Sequence, residues 1–301
     1  MYKQIDSNRH KSWLLIAIFI GVLAAVGYIY GYVTDTGSSG LIFTLIISLG
    51  MTSISWFSGD KIVLWQSGAQ EISDREQNRY LWNMVENLAI TAGIPKPRIY
   101  LVNDPSPNAF ATGRDPKHAS VTVTTGILNL LTNEELEGVI AHELSHVKNF
   151  DTRMMMLAAV LVGAIVLLSD IFIRGSLFGG QRRSNDRGSG NGIFMIVGII
   201  LLVLSPLIGQ LIQLAVSRRR EFLADADGAL LTRYPEGLAR ALAKIRDAHQ
   251  PMTRPSRATA HLWIANPFGD GRIRSHIATL FSTHPPIEER IKQLRLMESA
   301  K

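Results

Sequence analysis

The sequence predicts an α+β chain, mainly helical, in which a domain with a small β-sheet is interleaved with two apolar helical hairpins. Two observations predict this. Four long apolar runs come in pairs, and the polar stretch between the pairs switches its hydrophobic period from two to helical. With 301 residues, 47% hydrophobic and only 19% charged, the chain has room for one or two domains but is too apolar to lie wholly in water. Cysteine is absent, which excludes disulfides and thiolate metal sites. The net charge of +6 sits beside the apolar runs, not along one amphipathic face, so it reads as membrane topology and not as a nucleic-acid surface.

The first pair of runs is Trp13 to Val33 and Leu41 to Phe57, 21 and 17 residues without a charge. Each is long enough to cross a hydrocarbon core about 30 Å thick. The turn TDTGSSG between them has no Lys or Arg, whereas Lys3, Arg9 and Lys11 precede the first run. That arrangement predicts a retained hairpin with an internal N-terminus. A cleaved signal is disfavoured because the run exceeds a typical signal core and no small-x-small site follows it. The second pair, Met154 to Ile173 and Ile193 to Val216, is separated by the flexible loop RGSLFGGQRRSNDRGSGN. Arg218, Arg219 and Arg220 favour a cytoplasmic end for the fourth run, although the loop itself carries four arginines. Four spans are therefore expected, with a second hairpin that dips in without crossing, or buried core helices, as alternatives. An even number of crossings places the segments before Met154 and after Val216 on one side. The domain reading is 1–58 for the first hairpin, 59–153 and 217–301 for the two parts of the folded domain, and 154–216 for the second hairpin.

Within 59–153, Asp74 to Ala92 has the spacing of an amphipathic helix, with Leu81, Met84, Val85 and Leu88 on one side. AGIPKP breaks it, and RIYLV, NAFAT and ASVTVTT read as three strands, the last two joined by the turn-rich GRDPKH. A capping box, Thr132 with Glu135, then opens a helix expected to run from Thr132 or Asn133 to Lys148.

That helix carries HELSH. His142 and His146, at i and i+4, project from one face and can direct two imidazole nitrogens at one tetrahedral ion. Glu143 lies beside that face, placed to take a proton from water. Gly138, one turn earlier, is expected to leave the metal face open to a substrate or strand. Polar residues along the helix, from Asn133 to Asn149, suggest that it faces water, which disfavours an ion conduit. The third ligand is not within reach of HELSH itself, since Asn149 and Thr152 stand where a longer metal motif needs Gly and His. RRREFLADADGALL offers it: Glu221 as ligand, with Asp225 at i+4 to accept the second ring N–H of a ligand histidine, ahead of Glu236, Glu288 and Asp227. At about 1.5 Å per helical residue, the site should lie within roughly 12 to 15 Å of the hydrocarbon.

HELSH after TNEELEGVIA, REFLADADGA after an apolar hairpin, NAFATG before a strand and STHPP near the end together resemble the HtpX family of integral-membrane zinc endopeptidases. The resemblance covers most of the chain. It implies a gluzincin-like fold, one Zn2+ at His142, His146 and Glu221, and Glu143 as catalytic base. It also implies a multi-pass protein of the bacterial cytoplasmic membrane that cuts misfolded membrane proteins and unfolded polypeptides on the cytoplasmic side. Prenyl-type CAAX endoproteases are similar at the same motifs but carry more spans. A non-catalytic zinc scaffold or a transporter is the remaining alternative.

Asn108, Ala109, Phe110 and Ala111 are read as an edge strand able to pair with an extended peptide. His284 in STHPP, held by the following prolines before a final helix from Ile287 to Met297, is read as a donor to the reaction's oxyanion. His118, His261 and His276 are read as surface or capping residues. The segment Ala258 to Ser282 is a candidate cover over the cleft. Partners are polypeptide substrates and the bilayer, with assembly into homo-oligomers or with other membrane proteases left open.

Overall fold

A computed structural model describes residues 2–33, 35–178, 218–248, 250–256, 258–269 and 285–299. Two long helices come first, α1 (Tyr2–Val33) and α2 (Ser39–Gln66), and they pack antiparallel. Both are long and apolar enough to cross a membrane, and they outrun the uncharged stretches because their polar ends continue the helix. Their approach is close at the turn: a side chain on Gly40 would run into the Gly31 backbone nitrogen, 3.0 Å from its first carbon. Small residues at this crossing let the two backbones touch where lipid supplies no hydrophobic drive.

The folded domain begins with a two-residue strand, β1 (Gln70–Glu71), which sequence reading does not anticipate. Helix α3 (Arg79–Ala92) starts later than expected. Asp74 caps a short 3-10 turn instead, and Asn78 Oδ1 then accepts the Leu81 N–H to open the helix. Strands β2 (Arg98–Val102), β3 (Ala109–Thr112) and β4 (Ser120–Thr124) form a mixed sheet in the order β1-β2-β4-β3. β2 runs parallel to β4, and the β3–β4 hairpin places β3 at the edge. α4 (Thr125–Leu130) is capped by the Thr124 hydroxyl and leads into α5 (Asn133–Lys148). The Glu135 carboxylate accepts the Thr132 N–H at 2.8 Å and fixes the start of α5 where the capping pattern predicts it.

After a tight turn the chain enters α6 (Asp151–Phe178). Met154 to Ala159, Leu161 and Ile165 are buried in a cluster that also holds Leu15, Phe19 and Leu23 of α1 and Val63 and Leu64 of α2. The expected fourth span, Ile193 to Val216, lies outside the described residues. The chain resumes in α7 (Arg218–Thr232) and α8 (Pro235–Ala248), and ends in α9 (Ile287–Ser299).

A second core joins the domain itself, from Leu81 and Val85 of α3 through Ile99, Val121 and Val123 of the sheet to Val139, Ile140 and Leu144 of α5 and Leu238 and Leu242 of α8. α5 runs through its middle. This corrects two expectations. Gly138 to Val147 are all buried, so α5 is the domain's central helix: its exposed polar residues are confined to its start, and His142, Glu143, Ser145 and His146 are buried. Gly138 does not open the metal face: a side chain there would meet the Leu238 backbone nitrogen at 2.7 Å, because α8 crosses α5 at this point.

Candidate metal and catalytic site

On α5, the i, i+4 spacing turns His142 and His146 to the same side, with Nε2 atoms 3.2 Å apart. α7 lies against α5 and brings Glu221 to them, its two oxygens 3.5 Å from His146 Nε2 and 3.8 Å from His142 Nε2. Four-coordinate ligands at metal distances of about 2.0–2.1 Å would stand roughly 3.3–3.4 Å apart; the two nitrogens stand close to that spacing, and the Glu221 oxygens lie a few tenths of an ångström beyond it. They form a cluster able to hold a metal ion, and all three side chains are buried.

The other ring nitrogens are held as well. Asp225, one turn after Glu221, places Oδ1 2.9 Å from His142 Nδ1. Asp151 places Oδ2 3.0 Å from His146 Nδ1. Each carboxylate accepts a hydrogen bond from Nδ1–H and leaves Nε2 as the ligating atom. Asp151 gets there because Phe150 adopts φ +60 between α5 and α6, a left-handed turn that folds the chain back onto the last turn of α5. Asp225 was foreseen for this position and Asp151 was not. Its signal was an acid just past a helix end, five residues after the second histidine.

Two arginines complete the surroundings, neither foreseen. Arg290, on α9, is 0% exposed. Its Nη2 donates to Asp225 Oδ1 at 2.6 Å and its Nε to Asp225 Oδ2 at 2.9 Å, while Nη1 lies 3.4 Å from Glu221. Arg220 donates to Asp151 at 3.1 Å. From the start of α1, the Asn8 amide donates to Asp151 Oδ1 at 2.7 Å and to the Asn149 carbonyl at 2.8 Å. The first apolar helix thus reaches the carboxylate that orients His146.

The charges of this buried set decide what fits. Glu143, Glu221, Asp151 and Asp225 are all buried, against the guanidinium groups of Arg220 and Arg290. With both histidines neutral, as metal ligands must be, four carboxylates and two arginines leave two negative charges, which a divalent cation neutralises. The titration of His146 reports the same field. Burial alone would lower its pKa, but the hydrogen bond that Nδ1–H donates to Asp151 and the charges of Glu221, Asp151 and Glu143 raise it to about 9. Burial likewise opposes ionisation of Asp225, yet Arg290 and His142 hold it down at about 2. The donors, their spacing and the net charge all fit one divalent metal.

The remaining predicted residues fall differently. Asn108, Ala109, Phe110 and Ala111 lie on or beside the edge strand, but they are buried and not open. The Ile264 N–H donates to the Ala109 carbonyl, Asn108 exchanges two hydrogen bonds with Ala265, and Trp263 meets Phe110 edge to face at 4.6 Å. Part of the segment expected as a cover therefore lies on β3. His261, expected as a surface or capping residue, is buried within the same segment, with Nε2 3.0 Å from the Met155 carbonyl of α6. His118 is exposed and pairs with Asp115. His276 and His284 lie outside the described residues.

A membrane-borne α+β domain with a buried His–His–Glu cluster, and a glutamate next to the first histidine, defines a class of metalloproteases. The chain's relatives agree. Residues 75–298 match Peptidase family M48. A "Protease HtpX homolog" of Caldanaerobacter subterraneus subsp. tengcongensis is 45% identical over 297 residues, covering 98% of this chain and 97% of the relative. One of Tropheryma whipplei is 46% identical over 298 residues, covering 99% and 98%. The crystal structure of S. mikatae Ste24p shares the fold, with a TM-score of 0.51 at 19% identity over 98% of this chain and 67% of that one. The chain belongs to peptidase family M48, among the HtpX proteases, and is a membrane metalloprotease.

Proposed function

We propose that the chain is a zinc endopeptidase in which His142, His146 and Glu221 hold one Zn2+ and Glu143 is the catalytic base. The observation that supports this most directly is the convergence of three buried ligand side chains, whose ligand atoms lie within 4.8 Å of one another and whose ring partners already fix the ligating nitrogens. Zinc bound there supplies Lewis acidity to the scissile carbonyl and to the attacking water. Glu143 is buried next to His142 and close enough for its charge to act on His146 and Arg290. It accepts the proton of the attacking water and returns it to the leaving amide nitrogen. Asp225 and Asp151 keep the two imidazoles oriented through this cycle, and Arg290 keeps Asp225 ionised. His284 is the candidate for a second oxyanion donor, in the segment leading into α9.

Substrates are read as misfolded membrane proteins and unfolded polypeptides, cut on the cytoplasmic face of the bacterial inner membrane by a four-span protein. The two candidate spans and the basic residues on the domain side of α1 support that orientation. An extended peptide would pair with β3 along Asn108 to Ala111, which supports tolerance of many sequences because the backbone does the pairing. The 263–265 segment must then give way at Ala109.

The test is detergent-purified protein reconstituted with zinc and given unfolded casein. We expect about one zinc per chain and cleavage that a chelator abolishes; a folded preparation that takes up no zinc sinks the proposal. Because metal binds only the folded site, chelation should also lower the melting temperature, by the equivalent of about 3–4 kcal/mol when zinc is at several hundred times its Kd.

The Asn8 link carries its own prediction. Asn8→Ala removes two hydrogen bonds to a buried acceptor set, so zinc affinity should fall by up to about tenfold and stability by about 1–3 kcal/mol. Unchanged zinc competition against a chromogenic chelator would show that α1 does not support the site.

A further inference from the structure

A cavity of about 280 Å³ lies at the domain end of α2, away from the metal ligands. Lys61 comes from the last turns of α2, Lys96 and Arg98 from the entry to β2, and Arg114 and Lys117 from the β3–β4 turn. These five cations meet two carboxylates, Asp60, which Arg98 engages at 2.7 Å, and Asp115, 3.6 Å from Arg114, while Lys96 also rests on the Trp82 ring. Beside them, His118 is held between Asp115 and Arg114. So many like charges around one small space repel each other unless an anion is present. The metal site does not use them.

The depth of the cavity says which anion. Trp13 opens the uncharged run of α1 and Trp56 nearly closes that of α2, and the two indoles stack at 5.6 Å. Antiparallel helices thus present two tryptophans at one level, as at the boundary between hydrocarbon and headgroups. Phe57 stands beside them, 66% exposed. Arginines collar these rings from the domain side, Arg153 over Trp56 at 5.2 Å and Arg114 over Phe57 at 5.5 Å. Lys61 follows Phe57 by four residues, about 6 Å along the helix, which puts it where lipid phosphates lie. Phe57 and Met156 give the cavity an apolar wall on that side.

We propose that this cavity binds the phosphate headgroup of an anionic phospholipid from the leaflet facing the protease domain. Its volume is near the lower end of small-ligand sites, roughly 300–1,000 Å³, and suits a headgroup whose acyl chains stay in the bilayer beside α2. The bound lipid bridges α2 to the β2 entry and the β3–β4 turn, and so fixes the domain against the membrane surface.

The experiment uses the full-length protein in a neutral detergent. Phosphatidylglycerol, phosphatidylcholine, inorganic phosphate and glycerol 3-phosphate are each titrated while the melting temperature is followed. Phosphatidylglycerol should raise it in a saturable, salt-sensitive way, and a Lys61→Gln, Lys117→Gln double variant should need at least tenfold more lipid. That variant should keep the wild-type melting temperature without lipid and its zinc-dependent cleavage of casein. An equal shift from phosphatidylcholine, or full retention of the response in the variant, overturns the proposal. If inorganic phosphate or glycerol 3-phosphate alone reproduces the whole shift, the site takes soluble phosphates and the lipid assignment is wrong. If the chain stays soluble without detergent, it is the membrane reading that has failed, independently of the metal site.

Discussion

Glu143→Gln will lower casein cleavage by zinc-loaded protein by about 10²–10⁴-fold while metal content stays near one per chain. The substitution keeps size and hydrogen-bonding capacity but removes the group that can carry a proton at neutral pH. Glu143 is not in the ligand cluster, which is made by His142, His146 and Glu221, so metal uptake should survive. The loss should appear in kcat more than in KM, because proton transfer is confined to the transition state. Retained activity would remove Glu143 from the base role, and loss of zinc together with activity would make it part of the metal's support instead. Removing its buried negative charge also relaxes repulsion among four carboxylates, so the variant should be no less stable than wild type.

Arg290→Met should destabilise the protein by about 3–5 kcal/mol, the usual cost of leaving a buried charge without its partner. Two nitrogens of this guanidinium hold both oxygens of Asp225, which in turn orients His142. Methionine fills similar space, so the loss would be electrostatic and not a cavity effect. Zinc binding should weaken along with stability, since an unpaired Asp225 no longer stays ionised at low cost. Arg290→Lys keeps the charge but not the planar fork, and should recover stability only in part. Denaturant melts of the three proteins, with and without zinc, separate these terms. Equal melts for wild type and Arg290→Met would mean that the arginine is not the counter-charge of the site.

Much of the site was legible because it depends on spacing within single helices. HELSH places two histidines on one face by helical geometry alone, and Glu221 with Asp225 repeats the same i, i+4 logic on α7. The strands β2, β3 and β4 stand within a residue of the predicted segments, since turn residues bound them on both sides. The start of α3 was misjudged because Asp74 and Asn78 are both good caps, and only the folded chain shows which one opens the α-helix. The exposure of α5 was misjudged too. Its polar residues run along most of its length, and nothing local says that α8 will close over Gly138.

The sequence by itself thus determined the apolar helical hairpin, the helix that carries the two histidines and the acidic helix that answers it, because each is encoded by short-range periodicity. Only the tertiary structure decided what surrounds them. Arg290 reaches Asp225 across 65 positions, Asn8 reaches Asp151 across 143, and Arg220 meets Asn8 across 212. The cover of β3 by Trp263 to Ala265 is of the same kind. No local pattern selects such partners. They follow from the requirement that buried carboxylates find counter-charges and edge strands find hydrogen bonds, which is met only when the whole chain has closed around them.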